Sequence, residues 1–198
     1  MGLELTYEDG QTPLSEEEKN GLLLRIITTH GELDEHEQLN IENAVEWIIK
    51  TKFKKEQILT EEFIKTLHKK MLGDVWSWAG EFRKSEKNIG VKWIMIGIEL
   101  KTLLDDTKYW IDNNTFSNEE IAIRFKHRLV NIHCFPNGNG RHSRIMADII
   151  MKSIFGKEPF SWNQSNMVKA DQTRKNYISA IREGDIGNIN PLIDFARN

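Results

Sequence analysis

The sequence predicts an all-α fold that carries one short β-hairpin. Three observations support this. Apolar residues recur at three- and four-residue steps over most of the chain, Ser or Thr caps precede acidic first turns, and one aromatic and β-branched interval between Gly73 and Gly97 interrupts the helical period. With 198 residues and 39% apolar content, the chain fits one ordinary domain with a real core.

Residues 1–14 hold Gly2, Gly10 and Pro13 among polar residues and read as an N-terminal arm, leaving 15–198 as a single helical domain. Ser15-Glu16-Glu17-Glu18 is a capping-box pattern, with negative charge at a helix N-terminus, and an apolar stretch from Leu22 to Ile27 follows. Between Asp34 and Lys52 the positions Leu39, Ile41, Ala44, Val45, Ile48 and Ile49 mark an amphipathic helix. Thr60-Glu61-Glu62-Phe63 opens another, running towards Leu72. In the interval that follows, Trp76, Trp78, Phe82, Ile89, Val91, Trp93, Ile94 and Ile96 favour extended backbone, while Asn88 and the glycines supply turns. A hairpin flap is expected over roughly 83–97 as the only β element. Helical periodicity resumes over 98–111, over 118–132 behind a Ser117 cap, over 141–154 and over 165–182. No internal repeat, low-complexity tract or long linker is present.

The 27 basic and 30 acidic residues give a net charge of -3 and a pI near 6.1. That balance lacks the basic signature of a nucleic-acid or anionic-membrane binder, so any phosphate-binding charge must be local. A single cysteine, Cys134, excludes an intramolecular disulfide and suits a reducing compartment, so the expected location is the cytoplasm. The first residues lack an apolar leader, and no run approaches the roughly 18 apolar residues of a membrane span. Met1-Gly2 with Thr6 matches the bare N-myristoylation pattern, which is too short to carry an assignment.

The chemistry concentrates at 133–144. A histidine is followed by Pro136, by Asn137-Gly138-Asn139-Gly140, and by two arginines three residues apart, Arg141 and Arg144. Both flanks are helical, so the Gly/Asn stretch must be a tight loop feeding a helix N-terminus. Free N–H groups there, glycines that admit a phosphate and two guanidinium groups together suit a polyphosphate. His133, just before the turn, is placed to act as a general base. Residue by residue each feature is ordinary in a structural loop. A plain connector, however, has little need of a basic pair directly after a glycine turn.

The string His133-x-Phe135-x-x-Gly138-Asn139-Gly140-Arg141-x-x-Arg144 resembles the signature of the Fic (Fido) family, His-x-Phe-x-Asp/Glu-Gly-Asn-Gly-Arg-x-x-Arg, at every fixed position but one. Trp76-Ser77-Trp78-Ala79-Gly80 with Arg83 is similar to the family's approach to its flap. Ile181 to Phe195, with Pro191-Leu192-Ile193, is similar to its closing segment. Length and opening look closest to the Fic subgroup called mobile mystery protein B. The resemblance implies a Fic-type helical bundle with its core at roughly 55–197, and a bacterial, cytoplasmic protein. It implies a nucleotidyltransferase that moves AMP from ATP to a hydroxyl side chain of a target protein (AMPylation).

On that resemblance His133 is the catalytic base, and Phe135 anchors the loop. Gly138, Asn139 and Gly140 cradle phosphate, while Arg141 and Arg144 hold the β- and γ-phosphates. Lys87, Asn88 and Ile89 on the flap would dock the target's backbone by β-augmentation. The partners implied are a target protein bearing a Ser, Thr or Tyr hydroxyl and a helix-turn-helix regulator, with no membrane and no nucleic acid. The departure is Asn137, which stands where the family has the carboxylate that holds Mg²⁺, so the metal is expected but weakened. A catalytically weak or inactive nucleotide-binding module is therefore one rival reading. A Doc-like phosphotransferase is another, disfavoured by Gly140, where those relatives carry Lys. A metal site built from His127, His133 and His142 matches no ligand spacing. Ser179-Ala180-Ile181-Arg182-Glu183-Gly184 fits the letters of the family's inhibitory helix but overlaps the closing segment. Thr28 to Glu32 fits only in part, so no inhibitor is assigned.

Overall fold

The computed structural model describes residues 12–162 and 170–198. The N-myristoylation pattern and the first residues of the helix expected at 165–182 lie outside them. Nine α-helices are formed by the described residues: α1 (Glu16–Lys19), α2 (His30–Lys50), α3 (Lys55–Ile58), α4 (Glu61–Leu72), α5 (Ile96–Asn113), α6 (Asn118–Ile132), α7 (Asn139–Ile149), α8 (Ala170–Asp185) and α9 (Asn190–Arg197). A 3₁₀ turn, Trp93–Met95, leads into α5, and a π turn, Ile150–Ile154, prolongs α7.

Caps explain most of the boundaries. Ser15 and Glu18 complete the expected box on α1, Thr60 accepts from the Phe63 N–H to start α4, and Ser117 accepts from Glu120 to start α6. Helix α2 begins at His30, earlier than its apolar period suggests. Thr29 and Glu32 form a second capping box there, and Thr28 adds a backbone N–H to the Glu32 carboxylate at 2.8 Å.

The core forms where α4, α5, α6 and α7 meet, around Ile64, Leu67, Leu100, Phe125, Leu129 and Met146, and α2 packs along α4. Helices α8 and α9 pair with each other and close the base of α6. At the far end of the expected arm, Thr12 and Leu14 are buried rather than trailing in solvent.

The hairpin is not formed. Among the described residues there is no strand, only one isolated antiparallel bridge between Leu22 and Trp76. The backbone over 83–91 pairs elsewhere. Arg83 N–H donates to the Cys134 carbonyl and Val91 N–H to that of Ile132. The buried Arg83 guanidinium then donates to the carbonyls of Ser85 and Val91, taking the role that cross-strand amides would have played. The extended-favouring side chains as far as Val91 lie outside helices, whereas Trp93 and Ile94 fall in the 3₁₀ turn and Ile96 opens α5; one arginine and the α6–α7 loop supply the partners a ladder needs.

Candidate active site

The site is the turn between α6 and α7. His133 is the C-cap of α6 in the left-handed region, φ 56°, so the chain reverses sharply at that residue. Two groups hold this conformation. Arg83 Nε donates to the His133 carbonyl at 2.6 Å. Gly90, itself at φ 101°, lies so close that a Cβ there would stand 2.6 Å from His133 Cβ. The imidazole is only 4% exposed, and its Nε2 lies 3.2 Å from Thr12 Oγ1. Its Nδ1 has no hydrogen-bond partner of good geometry among the described residues. Burial, then the positive charges of Arg83 and Lys87, push its pKa down to about 4, against a small opposing effect of the Val130 carbonyl. The ring is neutral near pH 7, the state that accepts a proton.

The loop between histidine and helix is held rigidly. Phe135 is fully buried and stacks on the His68 ring, with centroids 3.7 Å apart. His68 Nδ1 accepts from the Gly80 N–H, so its Nε2 carries the proton and donates to the Asn137 carbonyl at 3.0 Å. Burial, helped by His142, holds His68 well below its ordinary pKa, keeping it neutral. Asn139 turns inward: its Oδ1 accepts from the Phe135 N–H and its Nδ2 donates to the Phe135 carbonyl. Only its backbone is left to face a phosphate. Burial pushes the Cys134 thiol up to about 12, so it is no nucleophile.

Helix α7 starts at Gly138 (φ 77°), where a Cβ would stand 2.7 Å from Leu72 Cδ1. The first bond across this end runs from the His142 N–H to the Gly138 carbonyl. The N–H groups of residues 139–141 thus have no intrahelical acceptor, and a Cβ on Gly140 would meet nothing within 4 Å. The first turn is thus open on its Gly140 side, and a helix N-terminus is a position where an anion is stabilised. The two arginines differ. Arg144 lies over the Tyr177 ring, 5.6 Å from its centroid, with no carboxylate in ion-pair range among the described residues. Arg141 is bound at 2.6 Å to Glu37, whose other oxygen accepts from Trp76 Nε1 at 2.7 Å.

Glu37 is the residue that sequence reasoning missed. It is 3% exposed and lies on the buried stripe of α2 with Leu33, Ile41 and Ala44, so an acid at an apolar register position was the available signal. Replacing it by Gln keeps the acceptor for Trp76 and releases Arg141. Calorimetric titration with inorganic tripolyphosphate is expected to show a several-fold gain in affinity, on the order of 1 kcal/mol, because Arg141 is partly exposed and its pair is screened.

The other positions are distributed as follows. Asn137 is half-buried, with its Oδ1 taken by the Gly138 N–H at 2.5 Å. No group of three metal-binding side chains occurs among the described residues. This donor set does not fit a resident Mg²⁺ site, which wants carboxylate oxygens. Lys87 is drawn under α1, bonded to the Pro13 carbonyl and to Glu18, while Asn88 and Ile89 are exposed. Glu183 accepts from Asn188, and Glu32 is spent on the α2 cap, so neither reaches the arginines.

His142 completes the support, buried against the Ile64 carbonyl, with its pKa pushed down to about 4 by burial. Unfolded, it titrates near 6.5. The folded protein therefore binds fewer protons between those values, and the stability this histidine contributes is present above pH 6.5 and lost as pH falls towards 4. The contribution is about 3 kcal/mol at most, and His133 acts in the same sense. Asp148, raised to about 6 by burial, acts oppositely and offsets part of it. Urea midpoints are expected to fall between about pH 7 and about pH 5, and His142→Asn should flatten that slope.

Residues 58–151 match the model of the Fic/DOC family. Relatives align across nearly the whole chain. Protein adenylyltransferase Fic of Aedes aegypti is 26% identical over 192 residues, covering 94% of this chain and 37% of that protein. Its Drosophila melanogaster counterpart is 24% identical with the same coverage. The chain thus spans less than two-fifths of the length of these curated relatives. Among solved structures, the Bartonella tribocorum protein BepC, solved with bound AMPPNP, aligns with TM-score 0.68 at 19% identity over 92% of this chain and 97% of its own. Fic-1 of C. elegans aligns with TM-score 0.60 at 22% identity, over 80% and 45%. The fold is that of the Fic proteins.

Proposed function

We propose that this chain is a protein adenylyltransferase that moves AMP from ATP to a hydroxyl of a target protein. The observation that carries the reading is the pairing, across one clamped loop, of a neutral buried histidine with an open helix N-terminus. His133 accepts the proton of the target hydroxyl as its oxygen attacks the α-phosphorus, and pyrophosphate leaves. The N–H groups at 139–141 with Arg141 and Arg144 hold the β- and γ-phosphates and stabilise the charge that develops there. Asn88 and Ile89, exposed and next in sequence to Gly90, which lies against His133, receive the target backbone. Asn137 offers a metal ion no charge, so any Mg²⁺ would have to be held by the oxygens of the nucleotide phosphates.

The mobile mystery protein B subgroup, a bacterial and cytoplasmic setting and a helix-turn-helix partner belong to the same proposal and rest on the sequence resemblance. No helix among the described residues is long and apolar enough to cross a membrane. A second reading, nucleotide binding without turnover, is favoured by Asn137 alone, and it gains if Asn137→Asp creates a transfer that the natural chain lacks with every metal tried. The test is mass spectrometry of a cell lysate incubated with the protein and ATP, beside His133→Ala. A His133-dependent gain of one AMP supports the proposal. Identical lysates reject it.

A further inference from the structure

The one hydrogen-bond partner of good geometry that the His133 side chain has among the described residues is a hydroxyl from this chain's own N-terminal segment. Thr12 Oγ1 stands 3.2 Å from Nε2, in a setting where Thr12 is 8% exposed. In the tautomer that serves as a base, with the proton on Nδ1, the Thr12 hydroxyl donates to Nε2, the relation a target hydroxyl must adopt before transfer.

The approach is fixed on the far side as well. Leu14 is buried in the core, and the Pro13 carbonyl accepts from Lys87 Nζ at 2.9 Å. Glu18, the N3 residue of the α1 capping box, ties α1 to the same lysine and receives the Ser85 hydroxyl at 3.4 Å. Its carbonyl accepts from Trp78 Nε1 at 2.9 Å. The segment from Thr12 to Glu18 is thus gripped by the 83–91 stretch through main-chain and capping contacts, and it delivers a hydroxyl to the base. A tethered reactant held at this distance competes strongly with any target that arrives by diffusion.

Resting on the adenylyltransferase reading above, we propose that Thr12 is an intramolecular acceptor of AMP. The Thr12 Oγ–H proton passes to His133 Nε2, Oγ forms a bond to the α-phosphorus of ATP, and the bond from that phosphorus to the bridging oxygen of the β-phosphate breaks, releasing pyrophosphate. The product is an AMP phosphodiester on Thr12. One acceptor sits at one base, so the reaction stops at one AMP per chain. It also leaves the target seat filled by the modified strap.

The full chain is incubated with ATP and Mg²⁺, alone and with lysate, then read by intact mass and peptide mapping. The expected result is a single AMP on Thr12, formed at a rate per molecule that does not depend on protein concentration. Thr12→Ser retains the modification, while Thr12→Val and His133→Ala lose it to background, with folding of each variant checked by circular dichroism. If lysate proteins gain AMP in a His133-dependent way while the Thr12 peptide stays unmodified, or if Thr12→Val self-modifies as the natural chain does, the inference is overturned and the adenylyltransferase reading stands. If neither the chain nor any lysate protein gains AMP, that reading fails and takes this inference with it.

Discussion

Replacing Asn139 by alanine is expected to cost about 2–5 kcal/mol of stability, because it strips two buried backbone groups of their partners in one step. The amide side chain accepts from the Phe135 N–H at 3.0 Å and donates to the Phe135 carbonyl at 2.8 Å, and both residues are buried away from bulk solvent. A folded domain has about 5–15 kcal/mol in total, so the loss is a large share of it. The denaturant midpoint should drop with the slope unchanged. Transfer should fall further than the unfolded fraction accounts for, since the same clamp sets the distance between His133 and the α7 N-terminus. Asn139→Asp retains the acceptor and loses the donor, so it should fall between the two.

Arg144→Ala is expected to do the reverse, leaving the fold nearly intact while lowering nucleotide-dependent transfer on the order of 10²–10³-fold, as for loss of one group poised on developing charge. Its guanidinium rests over Tyr177 without a carboxylate among the described residues, so its removal strands no buried partner. Lysine at this position should restore only part of the rate, since a point charge cannot grip two phosphate oxygens as the planar fork does. Arg141→Ala makes the contrast, because it leaves the buried Glu37 carboxylate without its cation, at a cost below the about 3–5 kcal/mol of a fully buried pair since Arg141 is partly exposed. Parallel unfolding curves and transfer rates for the two variants separate a free cation from a committed one.

These contrasts show where the sequence was legible. Helix α6 runs over 118–132 behind Ser117, as its period and cap indicate, because both signals are local. The turn from His133 to Gly138 could be located because Gly and Asn punctuate it and both flanks are helical. The start of α2 was misjudged because its period weakens at Gly31 while the cap is made by Thr29 and Glu32. The hairpin was misjudged because strand-favouring side chains say nothing about where backbone partners lie, and here Arg83 and residues 132–134 provide them. Asn139 reads as a phosphate ligand from its neighbours, yet its side chain closes the loop instead. His68 and Glu37 are polar residues at core-facing positions of α4 and α2. Only that misplacement marks them, and nothing local names their partners, which are about 70 and 100 positions away in the chain.

The central claim is that the loop joins a base to a cradle for the β- and γ-phosphates, so that the α-phosphoryl group is the one transferred. Parallel incubations of the chain and protein targets with ATP labelled at the α or the γ position, each beside His133→Ala, test it most directly. The account predicts label on protein from the α position alone, abolished by His133→Ala. Label retained from the γ position, or α label that survives without His133, would contradict it.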